Sequence, residues 1–375
     1  MKVAGLYSGI GGLELGFERA SHNVTPLCEI DPLCRQILSI RFDAKNIEPD
    51  IADLRKLPKV DAIVAGFPCQ PYSQVGTRRG IRDGRVHIDH IVRLLKSRSR
   101  LTEFVVLENV PFIARLQRGR ALGYLLTQFE ELGYSWAYRI LDTQGFGLPQ
   151  RRRRLFFVAS RDEDAATILF GGDRRGDLSD EEPKAHGFYW TEGNRGVGWA
   201  NDAIPPLKCG STYGFPSPPA IWCRNSGSIF TPTICDAERL QGFPAGWTEI
   251  DQDGVSIGDR PRWRFLGNAV SVNMAQWIAN RLTSSRHCVP TSDRLLASSR
   301  FPNAAFGSRG RRFTVTASEK PSRHQTPGIL EFLEEPGNPL SVGATRGFRL
   351  RLEASSLVKN AAFISALKAH EQAWA

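Results

Sequence analysis

The chain has 375 residues, 41% of them hydrophobic and 23% charged. This allows one large domain with a smaller one, or two domains of ordinary size, and excludes wholesale disorder. Its 49 Lys and Arg against 39 Asp and Glu leave a formal net charge of +10, which favours a polyanionic partner. The 7 cysteines form no C-x-x-C pair, so neither a disulfide framework nor a metal site is expected. With no signal-peptide core and no apolar run of about 18 residues, a cytoplasmic protein without membrane contact is expected.

Short apolar segments alternate with helical patterns from residue 2 to about residue 160. Such alternation predicts an α/β fold with a mostly parallel sheet covered on both faces. The predicted strands are Val3–Tyr7, Thr25–Ile30, Ala62–Phe67, Phe104–Val110, Ser135–Leu141 and Leu155–Ala159. The predicted helices between them are Leu13–Ala20, Pro32–Phe42, His87–Leu95 and Leu122–Leu132.

This alternation ends near residue 161. Residues 161–230 are rich in Gly, Pro, Ser and Trp, which predicts an irregular small domain or a long insertion, and the aromatic content argues against disorder. Ordered structure is predicted to return with Ala237–Trp247, and Ala269–Leu282 is predicted to form a helix. From residue 283 to about 312 the Ser, Arg and Gly content is that of a linker, and one amphipathic helix is predicted around Leu357–Leu367.

The segment Tyr7–Gly12 lies between a predicted strand and a predicted helix. Its glycines let the backbone turn sharply and approach a nucleotide closely, and Glu29, at the end of the next strand, can bind ribose hydroxyls. The spacing is G-x-G-G rather than G-x-G-x-x-G, which favours a nucleoside cofactor over a dinucleotide. A purely structural turn or an NAD site stays an alternative for this segment alone.

Cys69 follows a buried strand within the segment Gly66–Pro71. Ligands of open α/β sheets bind at the carboxyl ends of the strands, where this cysteine lies. A lone cysteine is more often a small buried side chain. Here, flanking prolines and following polar residues predict a shaped and partly exposed site, as thiolate chemistry requires.

Two more charged motifs adjoin predicted strands. Glu108 ends the strand that begins at Phe104, where its carboxylate is either simply solvated or catalytic. The segment Gln150–Arg154 leads into the strand Leu155–Ala159, so alternation predicts that Arg152 and Arg154 share one face. Four consecutive arginines are also compatible with a solvated face or a phosphate-binding patch.

Together with Glu238–Pro244 and Gly267–Val270, these four motifs resemble the C5-cytosine DNA methyltransferases, in the family's order and over residues 3 to about 283. One such motif arises easily by chance, whereas six in order are highly specific. The resemblance implies a Rossmann-like methyltransferase sheet with a small irregular target-recognition domain. The implied division is a catalytic domain over 1–160 completed by 263–283, a target-recognition region over 161–262, a linker over 284–311 and a C-terminal extension over 312–375 whose role stays open.

The resemblance also implies the chemistry. Cys69 is the nucleophile that attacks carbon 6 of a cytosine rotated out of the duplex, Glu108 acts at N3, Arg154 lies near O2, and Arg152 organises the same site or a phosphate. The methyl donor is S-adenosylmethionine. Its predicted binding residues are Tyr7, Gly9, Gly11, Gly12, Glu29, Ile30, Asp50, Pro68 and Asn268. A loop that closes over the base and grips phosphates is predicted at residues 74–86, with contacts from Gln74, Arg78, Arg79, Arg82 and Arg85.

Related functions stay open from sequence alone. The same chemistry acts on RNA in some relatives, and an inactive DNA-binding relative is a further alternative, although the presence of all three catalytic residue types argues against it. Arg195, Trp199 and Arg224 are candidates for reading base edges. The expected protein is a monomer that modifies double-stranded DNA in a restriction–modification system, where a cognate endonuclease would act separately.

Overall fold

The structure, a computed structural model, describes residues 1–68, 82–97, 102–171, 182–210, 215–252, 255–284, 294–296, 301–322 and 325–373, with the backbone alone for 82–86, 251, 252, 255 and 294. Two compact units divide the chain. The first unit comprises Met1–Asp142, Arg153–Gly176 and Val270–Arg323. The second unit comprises Thr143–Arg152, Asp177–Ala269 and His324–Ala375. In the described part of the chain, no helix has the length and apolar character needed to cross a membrane.

The strands and helices of the described residues are numbered in chain order. The strands are β1 Lys2–Leu6, β2 Asn23–Cys28, β3 Ile47–Glu48, β4 Ala62–Ala65, β5 Phe104–Asn109, β6 Ser135–Asp142, β7 Arg153–Ser160, β8 Ala185–Phe188, β9 Ala200–Asn201, β10 Ala220–Cys223, β11 Ile229–Thr231, β12 Asp251–Gln252, β13 Val255–Ser256, β14 Arg294–Leu295, β15 Ala304–Ser308, β16 Arg311–Thr314 and β17 Asn338–Pro339. The helices are α1 Gly12–Arg19, α2 Pro32–Arg41, α3 Arg82–Lys96, α4 Arg120–Glu131, α5 Ala165–Phe170, α6 Ile234–Leu240, α7 Asp259–Asn268, α8 Val272–Leu282, α9 Ile329–Phe332, α10 Val342–Ala354 and α11 Ala361–Ala373.

The first unit is built on one sheet with the strand order β14-β16-β15-β6-β7-β5-β4-β1-β2-β3. The strands β3, β2, β1, β4 and β5 are paired in parallel. Every residue of β4 and β5 is buried, as expected for apolar parallel strands covered on both faces. Their carboxyl ends therefore meet at one edge of the sheet, where the glycine-rich segment, the segment before Cys69 and Glu108 all lie.

The α/β fold class is confirmed, and the sheet also contains an antiparallel half. β7 runs antiparallel to both β5 and β6, so its first residues lie beside the carboxyl end of β5, with Asn109 opposite Leu155. β15 pairs antiparallel with β6, within the range that the Ser, Arg and Gly content predicts to be a linker. The buried residues Ala304 and Ala305 explain the difference, because small side chains pack there without a strong hydrophobic pattern.

The second unit contains an antiparallel sheet with the order β17-β11-β10-β8-β9. Its apolar core combines residues of the sheet with residues of α10 and α11. The central members are Phe188, Trp222, Phe348, Phe363 and Leu367. Arg349 of α10 forms ion pairs with Glu371 of α11 and with Glu353. Residues 342–373 are thus an integral part of the second unit.

Replacing Phe363 by alanine tests this contribution. The side chain is 2% exposed and packs on Phe188, with 4.9 Å between ring centroids. Phe363→Ala should lower the free energy of unfolding by about 3–5 kcal/mol, because the cavity adds to the lost burial. The matched control is Val358→Ala, since Val358 is 100% exposed. Urea denaturation measures both, and equal effects would contradict a core role for α11.

Candidate active site

The segment from Tyr7 to Gly12 turns from β1 into α1 through left-handed backbone positions. Tyr7, Gly9 and Gly11 have φ angles of 54°, 55° and 87°. A Cβ on Gly11 would lie 2.4 Å from Cε2 of Phe42, so a larger residue has no space there. A Cβ on Gly9 would meet nothing within 4 Å. The loop is therefore closely packed at Gly11 and open at Gly9, where its backbone can approach a ligand.

Glu29 ties the end of β2 to this loop. Its Oε2 accepts a hydrogen bond from the Gly9 N–H at 2.7 Å, and its Oε1 accepts one from the Asp31 N–H at 2.8 Å. Burial raises the pKa of Glu29, and the two backbone hydrogen bonds oppose that rise. The carboxylate predicted to bind ribose thus also orients the glycine loop.

The other residues predicted near the cofactor lie around the same loop. Ile30 follows Glu29 and is 68% exposed, so its side chain can accept an apolar ring. Asp50 is half-buried and accepts a hydrogen bond from the Ala52 N–H at 2.8 Å. The Tyr7 hydroxyl lies 3.1 Å from Nδ1 of His87, and burial raises the pKa of Tyr7.

The end of β4 is fixed to the end of β5. Nδ2 of Asn109 donates to the Phe67 carbonyl at 3.1 Å, and the position of a Cβ on Gly66 is 3.8 Å from Oε2 of Glu108. Pro68 follows and is exposed. The chain that leads to residue 69 therefore departs from the sheet beside Glu108.

Several predicted site residues are not covered by this description. Cys69, Gln74, Arg78 and Arg79 lie outside the described residues. Arg82 and Arg85 lie in the first turns of α3, and for these two residues the structure describes the backbone alone. Their predicted roles stay predictions.

Glu108 and Arg154 form an ion pair at the edge of the sheet. Nε of Arg154 lies 3.0 Å from Oε1 of Glu108, and the two side chains are 13% and 9% exposed. An ion pair in such a sheltered place, where water screens the charges weakly, holds both groups in fixed positions. The pair thus presents a carboxyl group and a cation together, which is what stabilising opposite sides of a polar ring requires.

Arg152 makes a different set of contacts from Arg154. It is 1% exposed, and its guanidinium donates to the carbonyls of Leu207, Gly267 and Ala269 at 3.1, 3.0 and 2.7 Å. The predicted strand alternation does not reach this residue, because β7 begins at Arg153. These buried carbonyls, rather than a phosphate, are the partners that the structure gives to Arg152.

Two glutamines extend this polar network. Gln150 donates to the Leu240 carbonyl at 2.8 Å and accepts from the Leu207 N–H at 3.0 Å. Gln241 donates to the Leu266 carbonyl at 2.7 Å. The network joins three of the predicted motifs within the second unit. Sequence reasoning assigned no role to either glutamine, although each lies inside a motif.

Replacing Arg152 tests whether this network supports the second unit. Arg152→Met should lower the free energy of unfolding by about 3 kcal/mol or more, because three carbonyls lose their buried donor. The control is Arg151→Met, since Arg151 is exposed and donates a long hydrogen bond, 3.4 Å, to the Gly198 carbonyl. Chemical denaturation compares the two variants. A loss no larger in Arg152→Met than in Arg151→Met would contradict a structural role for the guanidinium.

Four further residues of the second unit, one predicted to bind the cofactor and three to read bases, differ in exposure and in their contacts. Oδ1 of Asn268 accepts from the Cys209 thiol at 2.7 Å, and both residues are exposed. Arg195 is exposed, and Arg224 pairs with Glu182 at 3.2 Å. Trp199 stacks on His186, with 4.5 Å between ring centroids, and packs against the core of the unit. Of the three candidates for base reading, Trp199 thus has a clear packing role.

Comparison with known proteins agrees with this arrangement. The profile of the C-5 cytosine-specific DNA methylases matches residues 1–185. The Type II methyltransferase M2.BsuMI of Bacillus subtilis is 42% identical over 358 residues, which are 93% of this chain and 92% of that protein. M.DsaV of Dactylococcopsis salina is 28% identical over 321 residues, 76% of this chain and 86% of that protein. The crystal structure of the S. pombe Dnmt2 methyltransferase shares the fold, with a TM-score of 0.56 and 19% identity over 75% of this chain and 98% of that chain. The resemblance carried by the six motifs is therefore confirmed, and the chain belongs to the C5-cytosine-specific DNA methyltransferase family.

Proposed function

We propose that this methyltransferase transfers a methyl group from S-adenosylmethionine to carbon 5 of a cytosine flipped out of a specific duplex DNA site, through a covalent bond between Cys69 and carbon 6. The ion pair of Glu108 with Arg154 is the observation that carries the proposal. The pair lies beside Gly66, which directly follows β4 and precedes Cys69 by three residues in the sequence. In α/β proteins, ligands bind at this edge of the sheet, where the parallel strands end.

The roles of the three residues follow from the electronic problem. Carbon 5 of cytosine is a poor nucleophile, and addition of the Cys69 thiolate to carbon 6 moves the ring electrons toward carbon 5 and N3. Glu108 holds a proton at N3, and Arg154 stabilises the charge that grows on O2. After the methyl group is in place, a base removes the proton from carbon 5. The electrons of that C–H bond restore the double bond, and Cys69 leaves as the thiolate.

The glycine loop and its neighbours fit the cofactor. S-adenosylmethionine, when bound, supplies the methyl group. The open space at Gly9 lets the backbone approach its amino-acid part, the Glu29 carboxylate suits its ribose, and exposed Ile30 suits its adenine. Tyr7, Gly11, Gly12, Asp50, Pro68 and Asn268 are the remaining residues of the proposed cofactor site.

A direct comparison of nucleic acids tests this function. The purified chain is incubated with S-adenosylmethionine carrying a labelled methyl group and with either duplex DNA or tRNA. We expect label in DNA at a defined site, read as 5-methylcytosine by sequencing DNA from cells that express the chain. Label in tRNA alone would favour the related RNA chemistry, and no label in either would favour an inactive DNA-binding relative.

The biological setting is also a proposal. Relatives such as M2.BsuMI and M.DsaV are Type II methyltransferases. We propose that this chain likewise acts in the cytoplasm, as a monomer, as the modification enzyme of a restriction–modification system whose endonuclease is a separate protein.

The arginines near Cys69 are proposed to bind the DNA backbone. The double substitution Arg78→Ala, Arg79→Ala should weaken binding to all DNA sequences alike and reduce the slope of log affinity against log salt by about 2. The control is Lys359→Ala with Lys368→Ala, two exposed lysines of the second unit. Fluorescence anisotropy over a salt series measures the slopes. A changed site preference with an unchanged slope would mean that the arginines read bases instead.

A further inference from the structure

The connection from β5 to α4 carries positive charges that the proposed mechanism does not use. Residues 110–119 follow the carboxyl end of β5, so they lie at the same edge of the sheet as Glu108. They form a short 3-10 helix, Pro111–Ala114, followed by a turn, Leu116–Gly119. The 3-10 helix packs against β7, whose first residues also lie at this edge. The connection therefore borders the proposed active site.

Apolar and charged side chains of this connection face opposite ways. Three apolar side chains are buried in the core of the first unit: Ile113, Ala114 and Leu116. Four side chains are exposed and are called the edge patch below: Phe112, Arg115, Arg118 and Arg120. Phe112 is 51% exposed and follows Glu108 by four residues, so their Cα atoms are at most about 14 Å apart. The edge patch is thus an outer surface close to the proposed catalytic carboxyl group.

The arginines of the edge patch have no counter-charge nearby in the sequence. Between Glu108 and Glu130 the chain contains three arginines and neither Asp nor Glu. Among the described residues, none pairs its carboxylate with these three guanidinium groups. Arg118 and Arg120 also lie at the amino end of α4, where the helix dipole disfavours cations. Electrostatics within the first unit does not explain these charges, whereas an external polyanion would.

The backbone of the connection is held in an unfavourable conformation. Gln117 and Arg118 have φ angles of 48° and 60°, in the left-handed region that residues other than glycine rarely adopt. Gly119 continues this turn at 86°, and a Cβ there would lie 2.8 Å from Cδ2 of Phe301. The ring of Phe301 therefore packs directly on the turn. A fixed backbone presents the arginines at set positions, which lowers the entropy that is lost when they bind a partner.

We propose, on the basis of the function proposed above, that the edge patch binds the DNA duplex beside the flipped cytosine. Its arginines bind backbone phosphates, and Phe112 packs on the apolar face of a neighbouring nucleotide. Phosphates suit exposed guanidinium groups that have no protein counter-charge. An aromatic side chain among arginines favours nucleic acid over a small anion, because bases and sugars offer it an apolar surface. These contacts help to offset the free energy of taking the cytosine out of the stack.

Fluorescence anisotropy over a salt series tests the edge patch on the full chain, with a labelled duplex of mixed sequence. The triple variant Arg115→Gln, Arg118→Gln, Arg120→Gln should reduce the slope of log affinity against log salt by about 2.7, since each phosphate contact contributes about 0.9. Between about 50 and 200 mM salt, the affinity of the unaltered chain should therefore fall about 40-fold more than that of the variant. For methyl transfer, the variant should raise the KM for DNA and keep kcat.

The matched control removes three positive charges near the opposite edge of the sheet. Arg55, Lys56 and Lys59 are exposed and lie shortly before the amino end of β4. The triple variant Arg55→Gln, Lys56→Gln, Lys59→Gln should keep the slope of the unaltered chain. Should the edge-patch variant not fold, Arg115→Gln alone decides, with an expected loss of about 0.9 in slope.

The contribution of Phe112 is measured separately. Phe112→Ala should weaken binding by about 5- to 150-fold with an unchanged salt slope, because an apolar contact displaces no counterion. Ile40→Ala is the control, since Ile40 is a similarly exposed apolar residue, 48%, on α2. A loss of affinity no larger than that of Ile40→Ala would remove Phe112 from the proposed contact.

The results distinguish the edge patch from the proposed function. Methyl transfer to duplex DNA by the unaltered chain, together with equal slopes in the two triple variants, overturns the edge patch and leaves the proposed function standing. If the unaltered chain neither binds nor methylates duplex DNA, both proposals fall. A lower slope in the edge-patch variant alone supports the contact.

Discussion

Cys69→Ser should show no methyl transfer above background and should bind S-adenosylmethionine with unchanged affinity. A serine hydroxyl is a far weaker nucleophile than a thiolate, and no other proposed group can add to carbon 6. The described chain before residue 69 ends at Pro68, and the hydrogen bond from Asn109 to the Phe67 carbonyl fixes its last residues beside Glu108. Calorimetry for binding and labelled methyl transfer for activity are the two measurements.

A matched control and a trapping experiment complete this test. Cys223→Ser changes a partly exposed cysteine of the second unit and should leave turnover unaffected. A duplex with 5-fluorocytosine at the target should form a complex with the unaltered chain that survives denaturation, because the fluorine on carbon 5 cannot leave as a proton does. Cys69→Ser should form none. Turnover by Cys69→Ser at the normal rate would contradict the covalent mechanism.

Glu108→Gln should lower kcat by about 10²- to 10⁴-fold, the usual range for loss of a general acid. The amide keeps the shape of the carboxyl group but cannot deliver a proton to N3.

Arg154→Met should also lower kcat, because the negative charge that develops on O2 is then no longer stabilised by the guanidinium. The two residues are 3.0 Å apart, so the double variant should lose much less than the product of the two single losses.

Single-turnover kinetics separates the fall in kcat of Glu108→Gln from any weakening of substrate binding. The equilibrium affinities for the cofactor and for DNA should change little in Glu108→Gln. Glu131→Gln is the control, since Glu131 lies exposed on α4, away from the motifs. A large rise in KM with an unchanged kcat would contradict a role for Glu108 in the chemical step.

Much of the first unit follows from local sequence patterns. Buried parallel strands are short apolar runs, and the residues just after them meet at one edge of the sheet. This rule alone brings Glu108 and the chain before Cys69 together, and the start of β7 brings Arg154 to the same edge. The contact of Arg154 with Glu108 is therefore largely predictable once the strand order is known.

Other features depend on contacts that no local pattern encodes. Arg152 binds carbonyls that are 55, 115 and 117 residues away in the chain. Helix α10 has buried residues only at Thr345, Phe348 and Leu352, with arginines between them, so its apolar stripe is narrow. The burial of Glu14 is likewise not encoded locally, because a glutamate early in a helix is ordinarily an exposed residue that favours the helix dipole.

The core of the second unit has a consequence for synthesis and for engineering. Because Phe348, Phe363 and Leu367 pack with Phe188 and Trp222, this core cannot close on the ribosome until residues 342–373 have emerged. A hybrid enzyme made by exchanging only residues 177–269 with a relative would pair a foreign sheet with native helices. Grafts that transfer both segments together should therefore yield more folded protein.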